Sequence, residues 1–99
     1  MNIKMDRNDK ELVITLEGKL NTLTSQELDK QMDGKLNGVE RLVFDFAELS
    51  YISSAGLRIL MEAAQIMDDQ GEMIIRHINE PVRDVFQITN LLDEFIIED

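Results

Sequence analysis

The sequence predicts an α/β domain: one mixed sheet of four or five strands, mainly parallel with an antiparallel first strand, packed against three or four helices. Three observations carry that expectation. Ile3 to Met5 and Leu12 to Leu20 are extended stretches separated by the polar turn Arg7-Asn8-Asp9-Lys10, the pattern of a hairpin. Strand-like and helix-like stretches alternate from there onward, which implies right-handed crossovers between parallel strands. The chain has 99 residues, 43% of them hydrophobic, and no repeat or internal linker, so residues 1–99 read as one domain. At this length a chain buries roughly 60–68% of its unfolded surface, enough for one core.

Each element follows from local pattern. In the second stretch Leu12, Ile14 and Leu16 alternate with Val13, Thr15 and Glu17, the period of a strand, and Gly18 ends or bends it. Thr24-Ser25-Gln26-Glu27 has the spacing of a capping box at a helix start. Leu28, Met32 and Leu36, four residues apart, mark that helix's buried face, and Gly34 and Gly38 break it near its end. Arg41 to Phe46 is apolar on both alternating faces except at Asp45, which predicts a central strand covered on both sides. A second helix is expected from about Ser54 to Asp69, with Leu57, Leu60, Met61, Ala64 and Met67 on its buried stripe and Gly71 as its stop. Met73 to Ile78 reads as a further strand. Asn79-Glu80-Pro81 reads as a helix start with proline at the first helical position, where its missing N–H costs nothing. Val82, Val85, Phe86 and Leu92 are expected to face inward, and Phe95-Ile96-Ile97 to form a short last strand.

Composition removes whole classes of function. Ten basic residues against 20 acidic ones give a net charge of −10, a surface that repels nucleic acid and anionic membranes. The same charge steers the domain towards a basic patch on another protein, or serves solubility. With no cysteine there is no disulfide, thiolate nucleophile or Cys-based zinc site. His77 is the only histidine, so neither a metal site nor a cofactor is expected. A Ser-His-Asp hydrolase assembled from Ser54, His77 and an aspartate lacks the Gly-x-Ser-x-Gly elbow and a glycine-rich oxyanion loop, so an enzyme is not expected. No stretch approaches the roughly 20 apolar residues of a membrane-spanning helix. Met1 to Asp6 lacks the apolar centre of a signal peptide, which points to the cytoplasm.

The run Tyr51-Ile52-Ser53-Ser54-Ala55-Gly56-Leu57 lies where a strand hands over to a helix. A helix's first turn has unpaired N–H groups and a partial positive charge, so a phosphate added there is favoured. In parallel sheets such sites gather beyond the carboxyl ends of the strands, where the Asn21–Thr24, Ser50–Ser54 and Ile78–Glu80 loops should meet. Ser54 reads either as a helix-start residue or as a phosphoacceptor; Ser53 is the better N-cap. Thr22 and Thr24 read as capping groups on the same edge. Asp45, an acid in an apolar strand, is expected to accept hydrogen bonds from the N–H groups of the serine loop. The six methionines read as core fillers, with Met61 or Met67 as adaptable partner contacts. Asp93-Glu94 and Glu98-Asp99 are expected to be solvated.

Asp45-Phe46-Ala47-Glu48-Leu49-Ser50-Tyr51-Ile52-Ser53-Ser54-Ala55-Gly56-Leu57 resembles the signature of the STAS domain, specifically that of the bacterial anti-sigma factor antagonists. Leu16-Glu17-Gly18-Lys19-Leu20-Asn21-Thr22-Leu23-Thr24 resembles the family's second motif. The resemblance implies a STAS-like sheet and a partner-switching regulator. Such a protein binds an anti-sigma factor with serine kinase activity, is released once phosphorylated, and is reset by a serine phosphatase. It places the phosphorylated hydroxyl at Ser54, with Ser53 as the alternative. It also places Asn21, Thr22, Thr24, Ser53, Ser54, Ala55, Gly56 and Arg58 on the partner-binding face, supported by Asp45 and Gly56. Ser53 and Asn21 stand where well-studied members carry aspartates, and Ala55 where a second hydroxyl is common. Two other readings compete: a STAS subunit of a lipid-transport or stressosome-like assembly, and an acyl-carrier-like protein, whose all-helical fold the predicted strands oppose.

Overall fold

The structure, a computed structural model, describes residues 1–98. Strands β1 (Asn2–Asn8) and β2 (Glu11–Leu20) form the hairpin, turning at Asp9, whose φ of 57° is one that aspartate tolerates. Helix α1 (Thr22–Met32), strand β3 (Arg41–Ile52), helix α2 (Ser54–Asp68), strand β4 (Glu72–Arg76), helix α3 (Glu80–Ile88), a 3₁₀ turn (Leu92–Glu94) and strand β5 (Ile96–Glu98) follow. Spatial order equals sequence order, β1-β2-β3-β4-β5, with β1 antiparallel to β2 and every other pair parallel. Each crossover steps to the next strand in one direction, so right-handedness puts all three helices on the same face. The core agrees: Leu12, Ile14, Phe44 and Ile75 from that face pack with Leu28, Leu60 and Phe86 from the helices.

The two-sided cover expected for Arg41 to Phe46 therefore does not form. On the outer face Val13, Val43, Ile74 and Ile96 stand in register across four strands. One flanking row is Glu11, Arg41 and Glu72; the other is Thr15, Asp45, Arg76 and Glu98. Arg41 pairs with Glu11 at 2.9 Å and Glu72 at 3.0 Å and lies 3.9 Å from Glu98, which Arg76 holds at 3.0 Å. Aliphatic stems of such side chains cover apolar neighbours, and Val43 and Ile74 are buried in the row between them. Glu98 is thus engaged rather than freely solvated, whereas Asp93 and Glu94 are exposed as expected. Asp99 lies outside the described residues.

Several local expectations shift. Gly18, at φ 111°, bends β2 through a register shift without ending it. The capping box of α1 sits one turn earlier than Thr24–Glu27: Asn21 is the N-cap and Thr24 its reciprocal partner. Leu28, Met32 and Leu36 are buried as expected, and Gly34 and Gly38, both at φ 76°, follow the helix end. On α2 the buried stripe is Leu57, Ile59, Leu60, Ala63 and Met67, so Met61 turns outward and Ala64 is half-buried. Gly71 follows α2 for a reason other than flexibility: a Cβ there would lie 1.9 Å from the Glu40 carbonyl oxygen. Strand β4 stops at Arg76, because His77 takes φ 61°. Pro81 occupies the second position of α3, after Glu80, where an N–H also lacks an intrahelical partner. Val82 and Phe86 are buried, Val85 and Leu92 only half so, and the last strand begins at Ile96 with Phe95 in the core.

Candidate functional site

Strands β2 and β3 outlast their neighbour. Pairing of β3 with β4 ends at Asp45–Arg76, while pairing of β2 with β3 continues to Leu20–Ile52. The two long strands thereby deliver Asn21 and Ser53 side by side, and the Ser53 N–H donates to the Leu20 carbonyl at 2.9 Å. Each residue then caps its own helix. Asn21 Oδ1 accepts from Thr24 N at 3.0 Å; Thr24 Oγ1 accepts from Asn21 N at 2.8 Å and donates to the Lys19 carbonyl at 2.6 Å. Ser53 Oγ accepts from Gly56 N at 3.2 Å. The third loop joins them: Asn79 Oδ1 caps α3 through Val82 N at 3.0 Å while its Nδ2 donates to the Leu49 carbonyl at 2.6 Å. Three helix N-termini, each with its partial positive charge, are gathered on the carboxyl edge.

The two serines are not equivalent. Ser53 is half-buried with its hydroxyl oxygen committed to the cap. Ser54, the first residue of α2, is exposed, and its hydroxyl makes no hydrogen bond among the described residues. Gly56 is buried: a Cβ would meet Leu20 Cδ2 and Cγ at 2.9 Å and Ile52 Cγ1 at 3.0 Å. It belongs under the site, letting the first turn of α2 sit on the strand ends, and offers no contact surface. Ala55 is half-buried; Arg58 is exposed one turn beyond Ser54, on the same helical face. Thr22 is exposed beside Asn21.

Asp45 does not hold the serine loop. Its Oδ1 accepts from Ala47 N at 3.0 Å and lies 3.0 Å from His77 Nδ1, tying β3 to the residue that ends β4. Burial pushes this carboxyl up, but the Ala47 hydrogen bond, the His77 contact and the charges of His77 and Arg76 outweigh it and hold it below the ordinary 3.8. Met67 is buried, which leaves Met61, 40% exposed, as the methionine able to meet a partner. Leu23 at 74% and Tyr51 at 47% exposure border the same edge and are not among the contacts the sequence predicts. The signal for Leu23 was available, since it falls outside the four-residue spacing of Leu28, Met32 and Leu36. Local sequence marks Asn79 only as part of a helix start; its second bond, to Leu49, depends on tertiary structure.

Chemically this is a recognition surface with an accessible hydroxyl. No base is hydrogen-bonded to Ser54, His77 being engaged with Asp45. Among the described residues no group of three or more His, Cys, Asp or Glu side chains is placed to hold a metal ion, and no helix is long and apolar enough to cross a membrane.

Comparison with known proteins is consistent in direction. The family model of the STAS domain matches residues 2–99. BtrV of Bordetella bronchiseptica, which carries the name of an anti-sigma factor antagonist, is 36% identical over 97 residues, spanning 96% of this chain and 84% of that protein. The crystal structure of TM1081 from Thermotoga maritima, a protein of the same description, superposes with a TM-score of 0.89 at 18% identity, covering 98% of this chain and 86% of that one. The anti-sigma factor antagonist SpoIIAA, a Bacillus cell fate determinant, superposes in its unphosphorylated form with a TM-score of 0.79 at 18% identity, covering 99% of this chain and 88% of that one. Its phosphorylated form gives 0.77 at the same identity, covering 99% and 91%. At these identities the superpositions speak for the fold.

Proposed function

The chain belongs to the STAS domain family, and from that premise we propose that it is an anti-sigma factor antagonist switched by phosphorylation of Ser54. The observation that carries the reading is the contrast on α2: an exposed, unbonded Ser54 beside a Ser53 already used as the cap. The name borne by BtrV and the existence of a phosphorylated SpoIIAA support the same direction. Unmodified, the carboxyl edge around Ser54, with Asn21, Thr22 and Thr24 and the exposed side of α2 from Arg58 onward, docks on an anti-sigma factor in the cytoplasm. That partner is a serine kinase, and a serine phosphatase resets the cycle. The domain itself performs no chemistry.

A transient interface of this kind buries on the order of 600–800 Å² of the domain. Phosphorylation adds about −1.5 to −2 charges. At the helix N-terminus that charge is favoured by ~0.3–1 kcal/mol, so the fold hardly responds. The partner responds instead, because a dianion enters a face it had packed against. A penalty of roughly 3–4 kcal/mol weakens binding several hundred-fold, each 1.4 kcal/mol being tenfold. The test is titration of the cognate anti-sigma factor by calorimetry. Ser54→Ala should bind as the parent does and resist modification, while Ser54→Asp should bind poorly. Equal affinity of the two variants removes the mechanism.

A further inference from the structure

We propose that the cleft between α1 and α2 is a second docking site, for a short basic segment of another protein that carries bulky aliphatic side chains. The cleft holds about 420 Å³, and its floor is apolar: Met32 and Leu36 from the end of α1 and the turn after it, against Ala63 of α2. Ala63 itself is fully buried at the base of the helix pair. Ile66, 47% exposed, forms a wall. Gly34 lies at the mouth, and nothing stands within 4 Å of where its Cβ would be.

The rim decides what fits. Asp29, Asp33 and Glu62 line it, all exposed, and none has an ion-pair partner within 4.0 Å among the described residues. On the outer sheet face, by contrast, Arg41 and Arg76 answer Glu11, Glu72 and Glu98. An anion is excluded by the rim, and a metal ion has no cluster of ligands to hold it. A cleft of this volume takes side chains and not a domain surface. Lysine or arginine beside leucine or isoleucine satisfies floor and rim together, and the net charge of −10 steers such a segment inward. Glu62 and Ile66 lie about 12–18 Å along α2 from Ser54, at 1.5 Å per residue. The cleft thus lies about two to three helical turns beyond Ser54 and adjoins the exposed side of α2 that begins at Arg58.

The probe is a fluorescein-labelled amphipathic peptide of leucine and arginine, with leucines at i, i+3, i+4 and i+7, titrated by fluorescence anisotropy. Three variants are compared with the parent chain, each first shown to unfold cooperatively. Asp33→Lys with Glu62→Lys should weaken binding about tenfold. Glu48→Lys with Glu94→Lys makes the same change in net charge away from the cleft and should alter it less than about threefold. Ile66→Asp adds a negative charge, so pure electrostatics predicts tighter binding, whereas loss of the apolar wall predicts weaker binding by about fivefold or more. Equal weakening by the two double variants, or unchanged or tighter binding by Ile66→Asp, overturns the proposal.

Discussion

Replacing Ser53 and Ser54 separately by alanine should separate stability from modification. In Ser53→Ala the Gly56 N–H loses its acceptor at 3.2 Å, and the first turn of α2 loses its side-chain cap. N-cap loss costs about 1 kcal/mol, with a range of roughly 0.5–2. For a domain of this size that lowers Tm by about 4–8 °C. Ser54→Ala removes an exposed hydroxyl with no hydrogen bond and installs a better helix former, so stability should stay within about 0.5 kcal/mol of the parent. Modification should run the other way, with Ser53→Ala still phosphorylated and Ser54→Ala not. Circular dichroism melts give the first readout. Intact-mass measurement after incubation with the cognate kinase, well below both melting temperatures, gives the second. Phosphate lost from Ser53→Ala but kept on Ser54→Ala would refute the assignment of roles; two melts identical to the parent would show that the cap carries no energy.

Gly71→Ala should destabilise by more than about 2 kcal/mol in urea unfolding, because its Cβ meets a backbone oxygen that cannot turn aside; tolerance within 0.5 kcal/mol, on the same scale, contradicts the packing at Glu40. Asn79→Ala removes both the α3 cap and the bond to the Leu49 carbonyl, and a loss of about 1–2 kcal/mol is expected in the same assay, with none at all counting against the bridge. Asp45 has its folded pKa held below 3.8, so its contribution is present above that ordinary value and is lost as pH falls through the lower, folded one. The stability gap between the parent and Asp45→Asn should accordingly be full at neutral pH and close under strongly acidic conditions; a gap constant with pH refutes it.

Much of the molecule was readable from local pattern, because period-2 alternation in Leu12 to Leu16 and the Ser53 cap are decided within a few residues. The failures share a cause: neighbours not adjacent in sequence. Two capping frames overlapped at Thr24, and the one satisfied is the one whose Asn21 is fixed by the end of β2. Met61 and Ile59 flank the buried stripe of α2 on opposite sides, and only the crossing with α1 and the sheet settles which goes in. The apolar run Leu42 to Phe46 predicts two covered faces, since most of the charged rows that flank Val43 (Glu11, Glu72, Arg76 and Glu98) come from other strands. Asp45 was recognised as an acid needing donors, but its partner His77 becomes available only through the left-handed turn that ends β4.

The paired overhang of β2 and β3, braced from below by Asn79, has a kinetic corollary. Ser54 is already exposed at the end of that overhang, so under the proposed switch a kinase needs no fraying or breathing of the substrate before it reaches the oxygen. The pace of phosphate addition should then be indifferent to mild urea that leaves the enzyme intact, unlike acceptors that surface only during partial melting.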